Sequence, residues 1–98
     1  MVIRRTQSRP IRDIIEEVLK ASGIDQKLKE RELIRQWDDV VGITIARSTE
    51  SIYISDRKLI VKVRSSVIRN ELGMIREGLK IELNRRSGQV LIDELIIR

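Results

Sequence analysis

Two periods divide this chain. Up to Gly42 the apolar residues recur every three or four positions, and beyond Glu50 they alternate. Ile11, Ile14, Ile15, Val18 and Leu19 fall at i, i+3, i+4, i+7 and i+8, the spacing of one helix face. Pro10 is tolerated in a first helical turn and Ser22-Gly23 stops the run. A second helix is expected from about Asp25, with Leu33, Ile34, Trp37, Val40 and Val41 as its stripe and Gly42 at its end. Trp37 falls in the middle of that stripe, so a core role comes ahead of a docking role. Ile43 to Arg47 has the alternation of a strand and the length of a short helical turn; the turn is the reading adopted.

From Glu50 to Ser55, Ile52 and Ile54 share one face and Ser51, Tyr53 and Ser55 the other. Asp56-Arg57 is a candidate tight turn without the usual glycine. Lys58 to Arg64 alternates again, with Leu59, Val61 and Val63 inward and Lys58, Ile60, Lys62 and Arg64 outward. Two such runs this close predict an antiparallel hairpin. Ser65-Ser66 offers an N-cap for one long helix, about residues 67–86, whose inner stripe is Ile68, Leu72, Ile75, Leu79 and Leu83. Val67, Met74 and Ile81 form a second apolar line, roughly 120° around the helix from the first. This line is expected to bury against the first two helices. Its alternative is a docking groove, for which the thioether of Met74 and the bare Gly78 are suited. A last strand is expected over residues 90–98, with Leu95 and Ile97 inward and Ile96 and Arg98 outward. The result is a two-layer α+β fold, order α-α-β-β-α-β, with a three-stranded sheet and helices on one face. Trp37 is the largest apolar group available to seal the helical half to the sheet half.

Composition narrows the chemistry. Apolar residues make up 41% of the 98, but aromatics only 2%, so the core must be aliphatic. One domain is expected over residues 10–98, after a basic arm over 1–9 that carries Arg4, Arg5 and Arg9 and no acid. Cysteine and histidine are both absent, which removes disulfides, thiol nucleophiles, imidazole bases and the usual zinc sets. No phosphate-cradling glycine loop and no nucleophile elbow occurs. Asp38 and Asp39 would point about 100° apart on a helix and read as surface charges. No catalytic residue, metal, cofactor or small-molecule substrate is therefore expected. No apolar run reaches membrane-spanning length, and the first residues lack a signal-peptide apolar region. A cytoplasmic protein with no membrane partner is the expectation. The net charge of +5 raises the prior for nucleic acid. Arg4, Arg5, Arg9, Lys58, Lys62 and Arg64 are the candidate phosphate contacts, with Tyr53 as a candidate stacking residue.

Trp37-x-x-Val40-Val41-Gly42-x-x-Ile45-Ala46-x-x-Thr49 resembles the signature of the DciA family. Leu59-x-Val61-x-Val63-x-Ser65-Ser66 with Glu71-Leu72, then Leu83-Asn84, then Ile92-Asp93 and Ile97-Arg98 are similar to its later segments. The resemblance covers about residues 10–98. It implies a KH-like fold and a bacterial protein that recruits or loads the replicative DNA helicase without an ATPase site. The chain has Val67-Ile68 where the family often has Trp, and it ends at Arg98 where many relatives continue into a flexible tail. The Gly-x-x-Gly clamp of KH domains is absent, so their RNA grip does not carry over.

The expected partners are thus the replicative helicase, from the resemblance, and single-stranded or branched DNA. Trp37, Met74 and Ile81 are the candidate partner-binding residues. The alternative functions are a general single-stranded DNA- or RNA-binding module and a pure protein-interaction domain.

Overall fold

A computed structural model describes residues 10–98 of the chain. In order, the elements are α1 (Ile11–Ser22), α2 (Ile24–Val41), α3 (Ile43–Ser48), β1 (Thr49–Ser55), β2 (Lys58–Val63), α4 (Ser66–Met74), α5 (Arg76–Ser87) and β3 (Glu94–Ile97). The stretch after Gly42 is helical, as the turn reading expected. Gly42 makes that junction, with φ 90° and ψ 167°, a conformation that a Cβ strongly disfavours. Its N–H still closes α2 by donating to the Asp38 carbonyl at 2.9 Å.

The sheet runs in the order β1-β2-β3. β1 and β2 pair antiparallel across Asp56 and Arg57, whose φ values of 52° and 60° supply the left-handed turn without a glycine. β2 and β3 pair parallel, with Leu59 beside Leu95 and Val61 beside Ile97. Parallel neighbours need a crossover, and α4 and α5 provide it.

One core joins the layers. Leu33 and Trp37 of α2 meet Leu59, Val61 and Val63 of β2, Leu72 of α4, Leu79 and Leu83 of α5, and Leu91, Ile92 and Leu95. The long helix expected from the periodicity is broken at Ile75, where φ −112° and ψ 15° leave the helical region. The Ser65 hydroxyl caps α4 by accepting from the Ile68 N–H at 3.2 Å. Ile68, Leu72, Leu79 and Leu83 pack inward as expected, but Ile75 at the break is 52% exposed. The change of direction drops it off the face that both half-helices turn to the core.

Three further expectations are corrected. The line Val67, Met74 and Ile81 is 66%, 79% and 62% exposed, because α2 packs on the inner face of α5 and α1 covers neither helix. The last strand is only Glu94–Ile97, and Leu91 and Ile92 enter the core from a loop. Asn84 holds that loop: its Oδ1 accepts from the Leu91 and Ile92 N–H groups at 2.9 and 3.1 Å, and its Nδ2 donates to the Ile92 carbonyl at 2.9 Å. Ile60 lies on the outward face but is only 6% exposed, since its cross-strand neighbours Tyr53 and Ile96 close over it.

A candidate nucleic-acid and partner interface

The open face of the sheet is built from the outward positions of three strands. Register places Tyr53, Ile60 and Ile96 in one row, an apolar strip across the sheet. Ser55, Lys58 and Glu94 form the row on one side, and Ser51 and Lys62 the row on the other. Arg64 follows beyond β2. Four candidates from the sequence (Tyr53, Lys58, Lys62 and Arg64) are thus gathered on one surface, and all four are exposed. Arg4, Arg5 and Arg9 lie outside the described residues.

An acid that the sequence reading passed over sits among these cations. The β1–β2 register slips between Thr49, opposite Val63, and Ser51, opposite Lys62, so Glu50 is the extra residue of a bulge. Strict alternation would put Thr49 and Ser51 on the same face. The bulge turns Thr49 inward to Trp37 and leaves Glu50 outside, 3.9 Å from Lys62 Nζ and 3.8 Å from Arg64 Nε. Contacts this long and exposed contribute little stability, but they reduce the positive potential of the patch. Arg64 is also tethered through Nη1, which donates to the Arg47 carbonyl at 2.8 Å.

Trp37 is 1% exposed and reaches no partner from that position. Its indole Nε1–H donates to Thr49 Oγ1 at 3.1 Å, and the Thr49 hydroxyl donates to the Ile45 carbonyl at 2.9 Å. This chain of bonds locks α2, α3 and β1 together. Met74 and Ile81, the other partner candidates, are exposed, and Ile81 lines a groove. That groove, about 590 Å³, runs between α5 and the loop before β3, with Ile81 and Val90 as its exposed apolar groups and Lys80 and Arg85 at its rim.

The rim charges are satisfied locally. Lys80 pairs with Glu77 at 2.8 Å, and Arg85 forks onto Glu82 at 2.7 and 2.9 Å. Hydrogen bonds from Arg85 and Arg86 hold the Glu82 carboxyl down at about 2. Arg86 also reaches Asp39 of α2, which gives one of the paired aspartates its structural role. Arg57 grips Asp93 with two bonds, 2.8 and 2.9 Å, and this partner keeps the Asp93 carboxyl below its ordinary range. What the surface offers, then, is adhesion: an apolar strip between cations on the sheet, and an apolar groove with neutralised edges on α5.

The family model described as Dna[CI] antecedent, DciA, matches residues 10–97. The chain belongs to the DciA family. Members of this family act in DNA replication and helicase loading, as accessory proteins to the replicative helicase. No curated protein matches the chain. The DciA-like stretch from Trp37 to Thr49 is a structural signature here, because its two ends are the two partners of the buried indole bond. The Leu83-Asn84 pair of the DciA pattern is likewise structural: Leu83 is fully buried and Asn84 pins the loop that delivers Leu91 and Ile92. No helix among the described residues is long and apolar enough to cross a membrane.

Proposed function

We propose that this DciA-family chain is a non-catalytic accessory protein of DNA replication that recruits or loads the replicative helicase and also binds single-stranded or branched DNA. The observation that carries the reading is the open sheet face, where the Tyr53-Ile60-Ile96 strip lies between Lys58 and the pair Lys62 and Arg64. Cations provide sequence-independent attraction to phosphates, and an aromatic beside them is a stacking platform worth about 1–3 kcal/mol per base. The arm residues Arg4, Arg5 and Arg9 would add to the same attraction. The element order, with two helices crossing between parallel strands, is compatible with a KH-like fold. Met74 and Ile81 offer exposed apolar contact to the helicase, while Trp37 acts indirectly by holding the fold.

Two measurements test this. Binding of labelled single-stranded DNA across a salt series should weaken by about 0.7 log units per phosphate contact per decade of salt. Lys62→Glu with Arg64→Glu should weaken it uniformly across sequences, and Glu50→Gln should strengthen it by freeing both cations. Retention of the chain by immobilised replicative helicase should fall with Met74→Glu and Ile81→Glu, both tolerated by the fold because the side chains are exposed. Unchanged DNA affinity in the Lys62/Arg64 variant would remove the sheet face from the reading.

A second reading, a pure protein-interaction domain in the same family, is favoured by one observation. Glu50 already stands between Lys62 and Arg64. Helicase retention together with salt-insensitive, negligible DNA binding would select it.

A further inference from the structure

The outward face of the sheet is electrically uneven from one end to the other, and a residue just past β3 sharpens the difference. Beyond Ile97 the chain keeps its parallel partner. The Arg98 N–H donates to the Val61 carbonyl at 2.8 Å, and the Val63 N–H donates to the Arg98 carbonyl at 3.1 Å. Bonds to the residues on either side of Lys62 make Arg98 the register neighbour of Lys62. With Leu95 in the core and Ile97 packed against it, alternation puts Glu94, Ile96 and Arg98 outward together. The row of Ser51 and Lys62 therefore ends in a second cation, one strand spacing (about 4.8 Å) from Lys62.

The charged positions described at this end of the face are Lys62, Arg64, Arg98 and one acid, Glu50, which lies 3.9 and 3.8 Å from the first two. Arg98 is exposed, and among the described residues its guanidinium has no ion-pair or hydrogen-bond partner. At the other end Glu94 is the register neighbour of Lys58, the adjoining turn adds Asp56, and Arg57 is occupied by Asp93. Positive potential is thus concentrated over Lys62, Arg64 and Arg98. The strip of Tyr53, Ile60 and Ile96 lies one row away, about 6.7 Å along the strands.

We infer that Lys62 and Arg98 form a phosphate cradle, and that a single DNA strand crosses the sheet at this end, its backbone over the Lys62 row and its bases turned onto the Tyr53 strip. This rests on the single-stranded DNA binding proposed above and adds to it an unassigned contact, Arg98, and a path. A backbone laid lengthwise along β2 would run from these cations towards Glu94 and Asp56, where like charge opposes it. A backbone laid across the strands meets Lys62 and Arg98 side by side and avoids both acids. Each nucleotide is then held by charge at one row and by contact of its base at the next, where Tyr53 supplies the stacking face. Duplex DNA, with its bases stacked inside, has only the first row to use.

Fluorescence anisotropy of a labelled oligothymidylate with the full chain, over a salt series, separates the two rows. Loss of one phosphate contact lowers the slope of log affinity against log salt by about 0.7, whereas loss of stacking lowers affinity at every salt. Arg98→Gln should lower the slope by about 0.7, Arg98→Lys should keep it, and Lys58→Gln should leave it nearly unchanged. Tyr53→Leu, which keeps the strip apolar, should weaken binding about fivefold or more with the slope intact. Thermal melts followed by far-UV circular dichroism should match the parent in every variant, because all three positions are exposed. An unchanged slope in Arg98→Gln would remove the cradle, and unchanged affinity in Tyr53→Leu would remove the bases from the strip. Equal slope losses from Lys58→Gln and Arg98→Gln would overturn the path while leaving single-stranded DNA binding in place. A parent chain whose affinity for the oligothymidylate is negligible or insensitive to salt would overturn the underlying reading, and the inference with it.

Discussion

The hydrogen bond between Trp37 and Thr49 permits a quantitative test of why the signature stretch has its spacing. Trp37→Ala removes a side chain that is 1% exposed, at a site walled by α2, the sheet and α5. Truncating a buried aromatic to Ala costs about 3–5 kcal/mol, partly from lost burial and partly from the cavity left behind. Single domains of this size have about 5–15 kcal/mol in total, so the variant should be largely unfolded by moderate denaturant. The two partner variants are more discriminating. Trp37→Phe keeps most of the ring but removes the donor, which leaves the Thr49 hydroxyl still donating to Ile45. Thr49→Val keeps the shape but leaves the indole N–H inside without an acceptor. An orphaned buried donor costs about 1–2 kcal/mol here, the lower part of the usual range because Thr49 is only half-buried. Urea denaturation followed by far-UV circular dichroism gives each value without relying on Trp fluorescence. The double variant should recover about 1 kcal/mol relative to the sum of the single effects, since the two residues share one bond. Additive effects would show that the bond is not what couples α2 to β1. A Trp37→Ala protein as stable as the parent that fails to retain helicase would reverse the assignment and make Trp37 a docking residue.

Three other outcomes follow from the fold. Gly42→Ala should cost about 1–3 kcal/mol in thermal denaturation from backbone strain alone, because no atom lies within 4 Å of the added Cβ; a neutral change would mean the junction relaxes. Asn84→Ala should cost about 2–3 kcal/mol by orphaning the loop N–H groups of Leu91 and Ile92, and amide exchange should accelerate at those two positions first; uniform acceleration across the chain would count against a local clamp. Glu82 has a lowered carboxyl in the fold, so its contribution is complete above about 4.5 and is lost as pH falls towards about 2. Glu82→Gln should therefore flatten the acid side of the melting-temperature profile, most visibly at low salt because the group is solvent-exposed, and an unchanged profile would assign acid sensitivity elsewhere.

Local chemistry made much of this architecture legible from sequence. The periods of α1 and α2, the alternation around Asp56-Arg57, the Ser65 cap and the stops at Gly23 and Gly42 are all short-range signals, each acting within a few residues. They yield the order of elements and place Tyr53, Lys58, Lys62 and Arg64 on one outward face, because alternation is a property of the strand itself. The family signature was legible as well, though its meaning was not. That Trp37 and Thr49 are donor and acceptor depends on α3 folding the chain back between them.

The remaining features depend on contacts between residues far apart in the chain. A helix period is the same whether the helix runs straight or breaks, so residues 67–86 read as one element; packing against both the sheet and α2 splits it at Ile75. Alternation cannot announce its own interruption, which hid the bulge that brings Glu50 to Lys62 and Arg64. An apolar stripe says that a face seeks cover without naming the cover. Sequence alone could single out the inner stripe of α4 and α5 but expected the second line of Val67, Met74 and Ile81 to bury as well, and only the tertiary structure decided that this line and the face of Ile14 remain open.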